Sequence, residues 1–371
     1  MQQRQIPVVS HDAFTRLATD NPNLIHENPW IVEGYIQHWP GYTNWQDLNY
    51  LQGRFGHLQA FAKAPNFSTN RNDRLVSVKT GYDQYIDYVK HPERIRDIYD
   101  GCWLDGDYEQ FLDLGLPLYC GTLKIVRRAD DPVFSDVSPL LPIPLKSWNH
   151  ALPYYYSLFN HFWLLVSLPG ALTPLHIDNN GTIAIIAQLK GIKRATLYAP
   201  ADLPYVRTTA IGFMDPANPD ARDFPLWDKA VKWVGDIEPG QVLFVGTEWA
   251  HHVTTVETSI SVSFDFIDQS NLAAYAKSSN WACSLGDRVK RSVDLFVQKT
   301  GGVLSRQIIQ DAPAATVGRL LMSHVLRPLC DDANDTETAY VRRLYADHLA
   351  RLIDVNSDRC THDPMLPINP L

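Results

Sequence analysis

The pattern of apolar and polar positions changes twice along the chain. Up to about Tyr119, short apolar runs alternate with stretches of helical spacing, and Trp39-Pro40-Gly41 predicts a break between elements. Pro132–Pro153 holds five prolines and is predicted to be a surface loop. The elements predicted in this first part are strands at Ile6–Val9 and Pro29–Val32 and helices at His11–Thr19, Leu48–Phe55 and Val76–Val89.

From Phe159 to Ile267 the chain consists of short β-rich runs separated by glycine and proline. Several such runs with turn residues between them predict an antiparallel sandwich or barrel. The predicted strands are Phe162–Leu168, Thr182–Leu189, Lys193–Tyr198, Gln241–Val245 and Ser259–Ile267.

The last hundred residues return to helical spacing, with Gly301-Gly302 and Pro328 between the segments. Their apolar positions could form an interface with a second copy of the chain, or the helices could pack on their own barrel. The predicted helices are Asn271–Ala276, Leu285–Lys299, Leu304–Ile309, Thr316–Leu326 and Thr336–Ile353. The apolar positions are Leu320, Leu321, Val325, Leu344, Leu349 and Leu352.

Composition narrows the class of protein. The formal charge of −8 disfavours a surface that tracks phosphates, so nucleic acid is not expected as a partner. Five scattered cysteines without CxxC spacing predict neither a disulfide framework nor a zinc site and favour a reducing compartment. A polar start and the lack of a long apolar run predict a cytoplasmic protein without membrane attachment.

The sequence Thr173-Pro-Leu-His176-Ile-Asp178 places an imidazole and a carboxylate two positions apart. On a strand both side chains leave the same face. The candidate for a third ligand is His251, 75 residues later, which follows a Pro-Gly turn and an apolar strand. Two histidines and one carboxylate form a facial triad that suits non-haem iron(II), and a barrel brings distant strands together.

An ordered series of motifs resembles the JmjC-type, cupin-like family of iron(II)- and 2-oxoglutarate-dependent oxygenases. The branch it resembles contains the asparaginyl hydroxylase of hypoxia-inducible factor, and the match runs from about Ile6 to Ile267. The motifs are Ile6-Pro7, Trp39-Pro40, Thr173-Pro174-x-His176-x-Asp178, Gln188-x-Lys190-Gly191-x-Lys193-Arg194, Asn218-Pro-Asp with Phe224-Pro225, and Pro239-Gly240 leading into Trp249-x-His251-x-Val253.

The resemblance implies a mainly β fold with α additions, a double-stranded β-helix or jelly roll preceded by α/β elements. It implies an oxygenase domain at residues 1–270, with the jelly-roll core at about 115–270, and a C-terminal helical region at 271–371. It also implies that His176, Asp178 and His251 bind iron(II). The residues that would hold 2-oxoglutarate are Lys193, Thr173, Tyr119 and Ser263. His252 would lie next to the iron ligands without binding iron itself.

The chain departs from the family pattern near this site. Two additional residues stand between His176 and Lys193, so the family asparagine that follows HxD could correspond to Asn179, Asn180 or Thr182. Gly246 replaces a usual proline, and Ala250 replaces one of two paired aromatic residues.

The expected reaction consumes 2-oxoglutarate and O2, releases succinate and CO2, and hydroxylates an unactivated C–H bond. The expected substrate is amino-acid-like, peptidyl or a natural product, and aromatic residues at positions 154–163 could line the site. N-demethylation by the same chemistry is one alternative, and a non-oxidative, metal-dependent cupin is another. A non-catalytic binding protein that retains the barrel is the third.

Overall fold

A computed structural model describes residues 2–63, 77–95, 117–123, 125, 132–137, 162–178, 181–209, 212–268, 270–278, 336, 339–340 and 343. The chain divides into two compact units. The first comprises residues 1–146, 158–178 and 183–266, and the second comprises residues 147–157, 179–182 and 267–371. The domain boundary that the sequence places at residue 270 stays a prediction.

Two β-sheets dominate the first unit, with strands numbered in chain order. The larger has seven strands in the order β2-β3-β14-β9-β16-β7-β6, and the smaller has five in the order β1-β13-β10-β15-β8. The larger sheet contains β2 Val8–Ser10, β3 Trp30–Glu33, β6 Cys120–Leu123, β7 Phe162–Ser167, β9 Ile183–Lys190, β14 Gln241–Val245 and β16 Ser259–Phe266. The smaller contains β1 Gln2–Gln5, β8 Leu172–His176, β10 Lys193–Tyr198, β13 Val231–Ile237 and β15 Ala250–Thr255.

The chain crosses between the sheets in the manner of a jelly roll. Strands β7 and β9 belong to the larger sheet while β8 and β10 belong to the smaller, and β13 to β16 alternate in the same way. The pairs β9–β16, β16–β7, β10–β13, β10–β15 and β15–β8 are all antiparallel. The predicted fold class, a mainly β jelly roll with α additions, is therefore confirmed.

The remaining elements flank these sheets or form small additions. Two short antiparallel pairs join β4 Gln59–Lys63 with β5 Ser77–Gly81 and β11 Arg207–Thr208 with β12 Gly212–Phe213. The helices are α1 His11–Asp20, α2 Leu24–Glu27, α3 Pro40–Asn44, α4 Leu48–Phe55, α5 Tyr82–Lys90, α6 Leu203–Val206 and α7 Leu272–Ser278. Short 3-10 turns occur at Pro92–Arg94, Pro132–Val137, Pro200–Asp202 and Trp227–Lys229.

Strand β9 is buried on both faces, which explains its nearly continuous apolar sequence. Ile183 and Ile185 belong to a core shared with the N-terminal helices, where Phe14 of α1 stacks on Phe244 at a ring distance of 4.8 Å. Ala184 and Ile186 belong instead to a second core with residues of the smaller sheet. The space between the two sheets is therefore lined by alternate residues of each strand.

Most predicted elements are present, with one clear error. The helix predicted at Val76–Val89 is wrong in its first half, because Ser77–Gly81 forms β5 and pairs with β4. The helix starts at Tyr82, where the amide oxygen of Gln84 accepts the N–H of Gly81 at 3.1 Å. Pairing with a distant strand thus outweighs local helical spacing in this segment.

The C-terminal predictions are only partly covered by the described residues. Helix α7 agrees with the helix predicted at Asn271–Ala276. The described residues of the segment Thr336–Ile353 are helical. The other predicted helices, and with them most of the proposed dimer interface, lie outside the described residues. Within the part that the structure describes, no helix is long and apolar enough to span a membrane.

Candidate metal centre

His176, Asp178 and His251 converge at one end of the smaller sheet. His176 is the last residue of β8 and lies directly opposite His251, near the start of β15. The Nε2 atom of His176 is 3.4 Å from Oδ1 of Asp178, and the Nε2 atom of His251 is 3.7 Å from Oδ2. One donor atom from each residue lies within 4.8 Å of the others, so all three can face one ion.

Local backbone contacts fix the orientation of both imidazoles. The Nδ1 atom of His176 is 2.7 Å from the carbonyl oxygen of Pro174, and that of His251 is 3.2 Å from the carbonyl of Trp249. A carbonyl can only accept, so each Nδ1 carries the hydrogen and each Nε2 keeps its lone pair. In the neutral imidazoles both Nε2 lone pairs can therefore bind a metal, which is the tautomer that a ligand through Nε2 needs.

The protonation of the two histidines differs because their surroundings differ. Burial lowers the pKa of His251 to about 4, helped by the neighbouring charge of His176 and opposed by Asp178. Burial also lowers the pKa of His176, but the hydrogen bond and charge of Asp178 outweigh it and raise the pKa above its usual value. At neutral pH His251 is unprotonated and can bind a cation directly. A protonated His176 has to release its proton before its Nε2 atom can bind the cation.

The donor set fits a divalent first-row metal. It offers two neutral nitrogens and one carboxylate from a single side, which leaves positions open for other ligands. His176 and Asp178 have side chains 38% and 25% exposed, so the site can be reached from solvent, whereas His251 is buried. Such a triad suits non-haem iron(II) better than a closed structural zinc site, which takes four protein ligands.

Lys193 lies in the space between the sheets, although it carries a charge. It is only 2% exposed and opens β10, between Ile237 of β13 and Thr255 of β15. Its Nζ atom is 5.4 Å from the centre of the Tyr119 ring. Burial lowers the pKa of this ammonium to about 7, and no carboxylate among the described residues pairs with it.

Tyr119 and Thr173 lie beside this lysine, as the resemblance implies. The Tyr119 hydroxyl shares a hydrogen bond with Thr173, which opposes the increase that burial causes in its pKa. Thr173 is directly opposite Val253, and a bulge in β15 separates that pair from the His176–His251 pair. The structure therefore brings Lys193, Tyr119 and Thr173 together, and Thr173 lies on the same strand as His176.

Ser263, the fourth residue expected at the cosubstrate, comes from the opposite sheet. It is half-buried on β16, between Trp163 of β7 and Ile186 of β9. Ile186 belongs to the core between the sheets, so Ser263 faces the same space.

Other residues of the expected site have different positions. Adjacent residues of a strand face opposite sides, so His252 points away from His251, and its Nε2 atom is 3.1 Å from Oγ1 of Thr254. Asn179, Asn180 and the aromatic residues at 154–161 lie outside the described residues, and Thr182 is buried.

The substitution at position 246 has a steric reason. A Cβ atom at Gly246 would collide with the backbone of Ile25 and His26, so α2 packs too closely on this turn for a larger residue. Ala250 is fully buried in a cluster with Leu175 and Tyr198. Neither departure touches the three candidate metal ligands.

Several polar residues of the interior were missed by the sequence analysis. Gln188 on β9 and Ser261 on β16 are opposite each other and fully buried, and their Oε1 and Oγ atoms have no hydrogen-bond partner among the described residues. Asp265, two residues beyond Ser263, is also buried. The signal was present in Ser259-Ile-Ser-Val-Ser-Phe-Asp-Phe, where every second residue is polar although the strand is buried on both faces.

Comparisons with known proteins agree with this architecture. Residues 128–271 match the family described as cupin-like domain. HSPB1-associated protein 1 of Rattus norvegicus is 35% identical over 96 residues, which cover 24% of this chain and 20% of that protein. JmjC domain-containing protein D of Dictyostelium discoideum is 24% identical over 257 residues, or 65% of this chain and 52% of that protein.

A third relative is tRNA wybutosine-synthesizing protein 5 of Gallus gallus, 26% identical over 141 residues, or 37% of this chain and 44% of that protein. The chain therefore spans between a fifth and about half of the length of these relatives.

Proposed function

We propose that this chain, which matches the cupin-like family over residues 128–271 and is similar to JmjC domain-containing proteins, is an iron(II)- and 2-oxoglutarate-dependent hydroxylase. In the reaction, R–H, 2-oxoglutarate and O2 become R–OH, succinate and CO2. The substrate is amino-acid-like, peptidyl or a natural product. N-demethylation follows from the same chemistry when the oxidised carbon bears nitrogen, because the hydroxylated product then collapses.

The buried ammonium of Lys193 is the observation that carries this proposal. A charge this deep in a protein is costly unless an opposite charge joins it. Among the described residues no carboxylate supplies that charge, while Tyr119 and Thr173 place hydroxyls beside the lysine. An anion with hydrogen-bond acceptors, such as the distal carboxylate of 2-oxoglutarate, completes this set.

The protein residues in this proposal bind and orient. His176, Asp178 and His251 would hold iron(II), which when bound supplies the coordination of the keto acid and the activation of O2. Lys193 binds the distal carboxylate as a point charge, and the hydroxyls of Tyr119 and Thr173 add hydrogen bonds. The apolar residues around Ile186 and Val253 exclude water. No protein base is needed, because no proton has to be removed from the substrate by a side chain.

A non-oxidative cupin uses the same triad but has no use for the lysine. In that case the variant Lys193→Ala keeps its activity, whereas in the proposed enzyme it loses 2-oxoglutarate binding.

Succinate formation tests the proposal. The full chain is loaded with iron(II) without oxygen, given 2-oxoglutarate, and then exposed to O2, and 2-oxoglutarate binding is measured beside turnover. We expect iron- and oxygen-dependent succinate that His176→Ala and Lys193→Ala both lose. The exposed Lys229 provides a matched control, because Lys229→Ala removes a lysine outside the barrel. Lack of both succinate and 2-oxoglutarate binding in the metal-loaded wild type would refute the proposal.

A further inference from the structure

Gln188 and Ser261 are buried polar residues that face the space between the two large sheets. Both are fully buried, and they lie directly opposite each other on β9 and β16. Gln188 follows Ile186 by two positions, and Ile186 belongs to the core between the sheets, so the Gln188 side chain enters the same space. The pairing of β9 with β16 is irregular next to Ser261, and such irregularities are common beside functional sites.

Hydrogen bonds fix the amide of Gln188 in one orientation. Its Nε2 atom lies 2.7 Å from the carbonyl oxygen of Lys190, 2.9 Å from that of Gly191 and 2.8 Å from Oγ of Ser259. Carbonyl oxygens only accept, so the amide nitrogen must face them and Oε1 must point elsewhere. Neither Oε1 of Gln188 nor Oγ of Ser261 has a hydrogen-bond partner among the described residues.

A third group is needed to pair these two atoms. Side chains directly opposite each other on antiparallel strands have Cβ atoms about 4.5 to 5.5 Å apart, yet the Ser261 hydroxyl does not donate to the Gln188 amide oxygen. Oε1 needs a donor, so a carboxylate cannot pair it. Water donates and accepts, and buried water ordinarily occupies polar positions of this kind.

The Gln188 side of this pair is connected to Lys193 by a series of contacts. Ser259, which accepts from the Gln188 amide, is opposite Ser167 on β7. The Ser167 hydroxyl is 2.8 Å from that of Thr255. Thr255 is in turn directly opposite Lys193 on β10. These contacts join the two sheets at the end of β10 where the lysine lies.

The Ser261 side of the pair approaches the same lysine through apolar and aromatic neighbours. Ser261 is directly opposite Leu165, and Leu165 packs in one cluster with Tyr119. The centre of the Tyr119 ring is 5.4 Å from Nζ of Lys193. Both members of the pair therefore belong to the surroundings of the ammonium that would bind the distal carboxylate of 2-oxoglutarate.

We propose that Gln188 and Ser261 hold a water molecule beyond the distal carboxylate of the cosubstrate, and that this water determines which length of 2-oxo acid binds. The inference rests on the proposed function and concerns the cosubstrate of the same site. The water donates one hydrogen bond to Oε1 of Gln188 and one to the carboxylate, and it accepts one from the Ser261 hydroxyl. 2-Oxoadipate is one methylene longer than 2-oxoglutarate, so it displaces the water and leaves both protein atoms unpaired.

Calorimetry without turnover tests the proposal. The full chain is loaded with manganese(II) in the absence of oxygen and titrated with 2-oxoglutarate and with 2-oxoadipate. We expect the wild type to bind 2-oxoglutarate at least about tenfold more tightly, because the longer acid leaves two buried polar atoms without partners.

Variants at position 261 separate hydrogen bonding from size. Ser261→Ala should reduce the preference for 2-oxoglutarate below about threefold, because the water is held more weakly and its displacement costs less. Ser261→Cys has a side chain of similar size that bonds weakly, so it should relax the preference in the same direction. Ser167→Ala is the matched control, because it removes a buried hydroxyl from the neighbouring strand that is already paired with Thr255. It should lower the stability in urea and keep the wild-type preference.

Three results would overturn the inference. They are a wild type that binds both acids equally well, a Ser261→Ala protein that keeps the full preference, and a Ser261→Ala protein that loses affinity for both acids by the same factor. Urea unfolding in the same samples verifies that each variant is folded. A wild type that binds manganese but neither acid refutes the proposed function, whereas 2-oxoglutarate binding combined with any of the three results refutes only the role of Gln188 and Ser261.

Discussion

Replacing Lys193 by methionine should make the protein more stable and at the same time unable to bind 2-oxoglutarate. Methionine has a similar length and no charge, so it fills the space between Ile237 and Thr255 without a buried ammonium. The expected gain follows from the pKa of Lys193, which burial lowers from 10.5 to about 7. The charged lysine thus lowers the stability of the protein without a bound anion.

The size of this effect depends on pH in a predictable way. The pKa of Lys193 is lower by about 3.5 in the folded chain than in the unfolded chain. This difference corresponds to about 5 kcal/mol of lost stability at a pH where the lysine is charged in both states. Between pH 7 and pH 10.5 the unfolded chain holds a proton that the folded chain has released, so the loss shrinks as pH rises. We therefore expect Lys193→Met to exceed the wild type by about 5 kcal/mol at pH 6 and by about 2 kcal/mol at pH 9.

Urea unfolding followed by tryptophan fluorescence measures this difference. Both proteins are prepared without metal and unfolded at pH 6 and pH 9, with Lys229→Met as an exposed control whose stability should not change with pH relative to the wild type. Added 2-oxoglutarate with manganese(II) should stabilise the wild type and leave Lys193→Met unaffected. A Lys193→Met protein that is no more stable than the wild type, or whose advantage is the same at both pH values, would refute the reasoning.

Three other outcomes are expected. Manganese(II) affinity, measured by electron paramagnetic resonance, should fall as pH drops through the raised pKa of His176. At neutral pH, Asp178→Asn should bind manganese(II) at least about tenfold more weakly than the wild type, because it lacks one ligand group. Tyr119→Phe should weaken 2-oxoglutarate binding, measured by calorimetry, by a factor of about 3 to 10 because one hydrogen bond is lost. The melting temperature should fall by only about 2 to 4 °C, since the bond to Thr173 is lost as well. Gly246→Ala should destabilise the protein by about 1 to 3 kcal/mol in thermal unfolding, because its Cβ meets the backbone of Ile25; unchanged stability would contradict the close packing.

The strands that carry apolar side chains on both faces were predictable from sequence, and β9 and β14 are examples. Strands β1 and β13 of the smaller sheet were not predictable. Gln2–Gln5 forms β1 with four exposed polar residues, and only its parallel pairing with β13 makes it a strand. β13 itself mixes lysine, tryptophan, glycine and aspartate, so no alternation identifies it. Pairing with a partner that is distant in sequence decides both cases.

The candidate site likewise contains residues that the sequence alone indicates and residues that it does not. The spacing of His176 and Asp178 on one strand is local, so the sequence alone indicates it. The resemblance supplied Lys193, Tyr119 and Thr173, which come from separate segments of the chain. The burial of Asp265 was missed because a polar residue in a strand ordinarily faces solvent, and this burial is visible only once β16 lies between β7 and β9.

The position of the metal ligands on β8 and β15 has a consequence for how the protein matures. Because 75 residues separate His176 from His251, no short piece of the growing chain holds both donors at binding distance. The ion therefore cannot nucleate folding. It can only enter a barrel whose strands have already closed, and once bound it cross-links two distant segments and slows their separation. Metal binding at this triad would then report complete folding of the jelly roll.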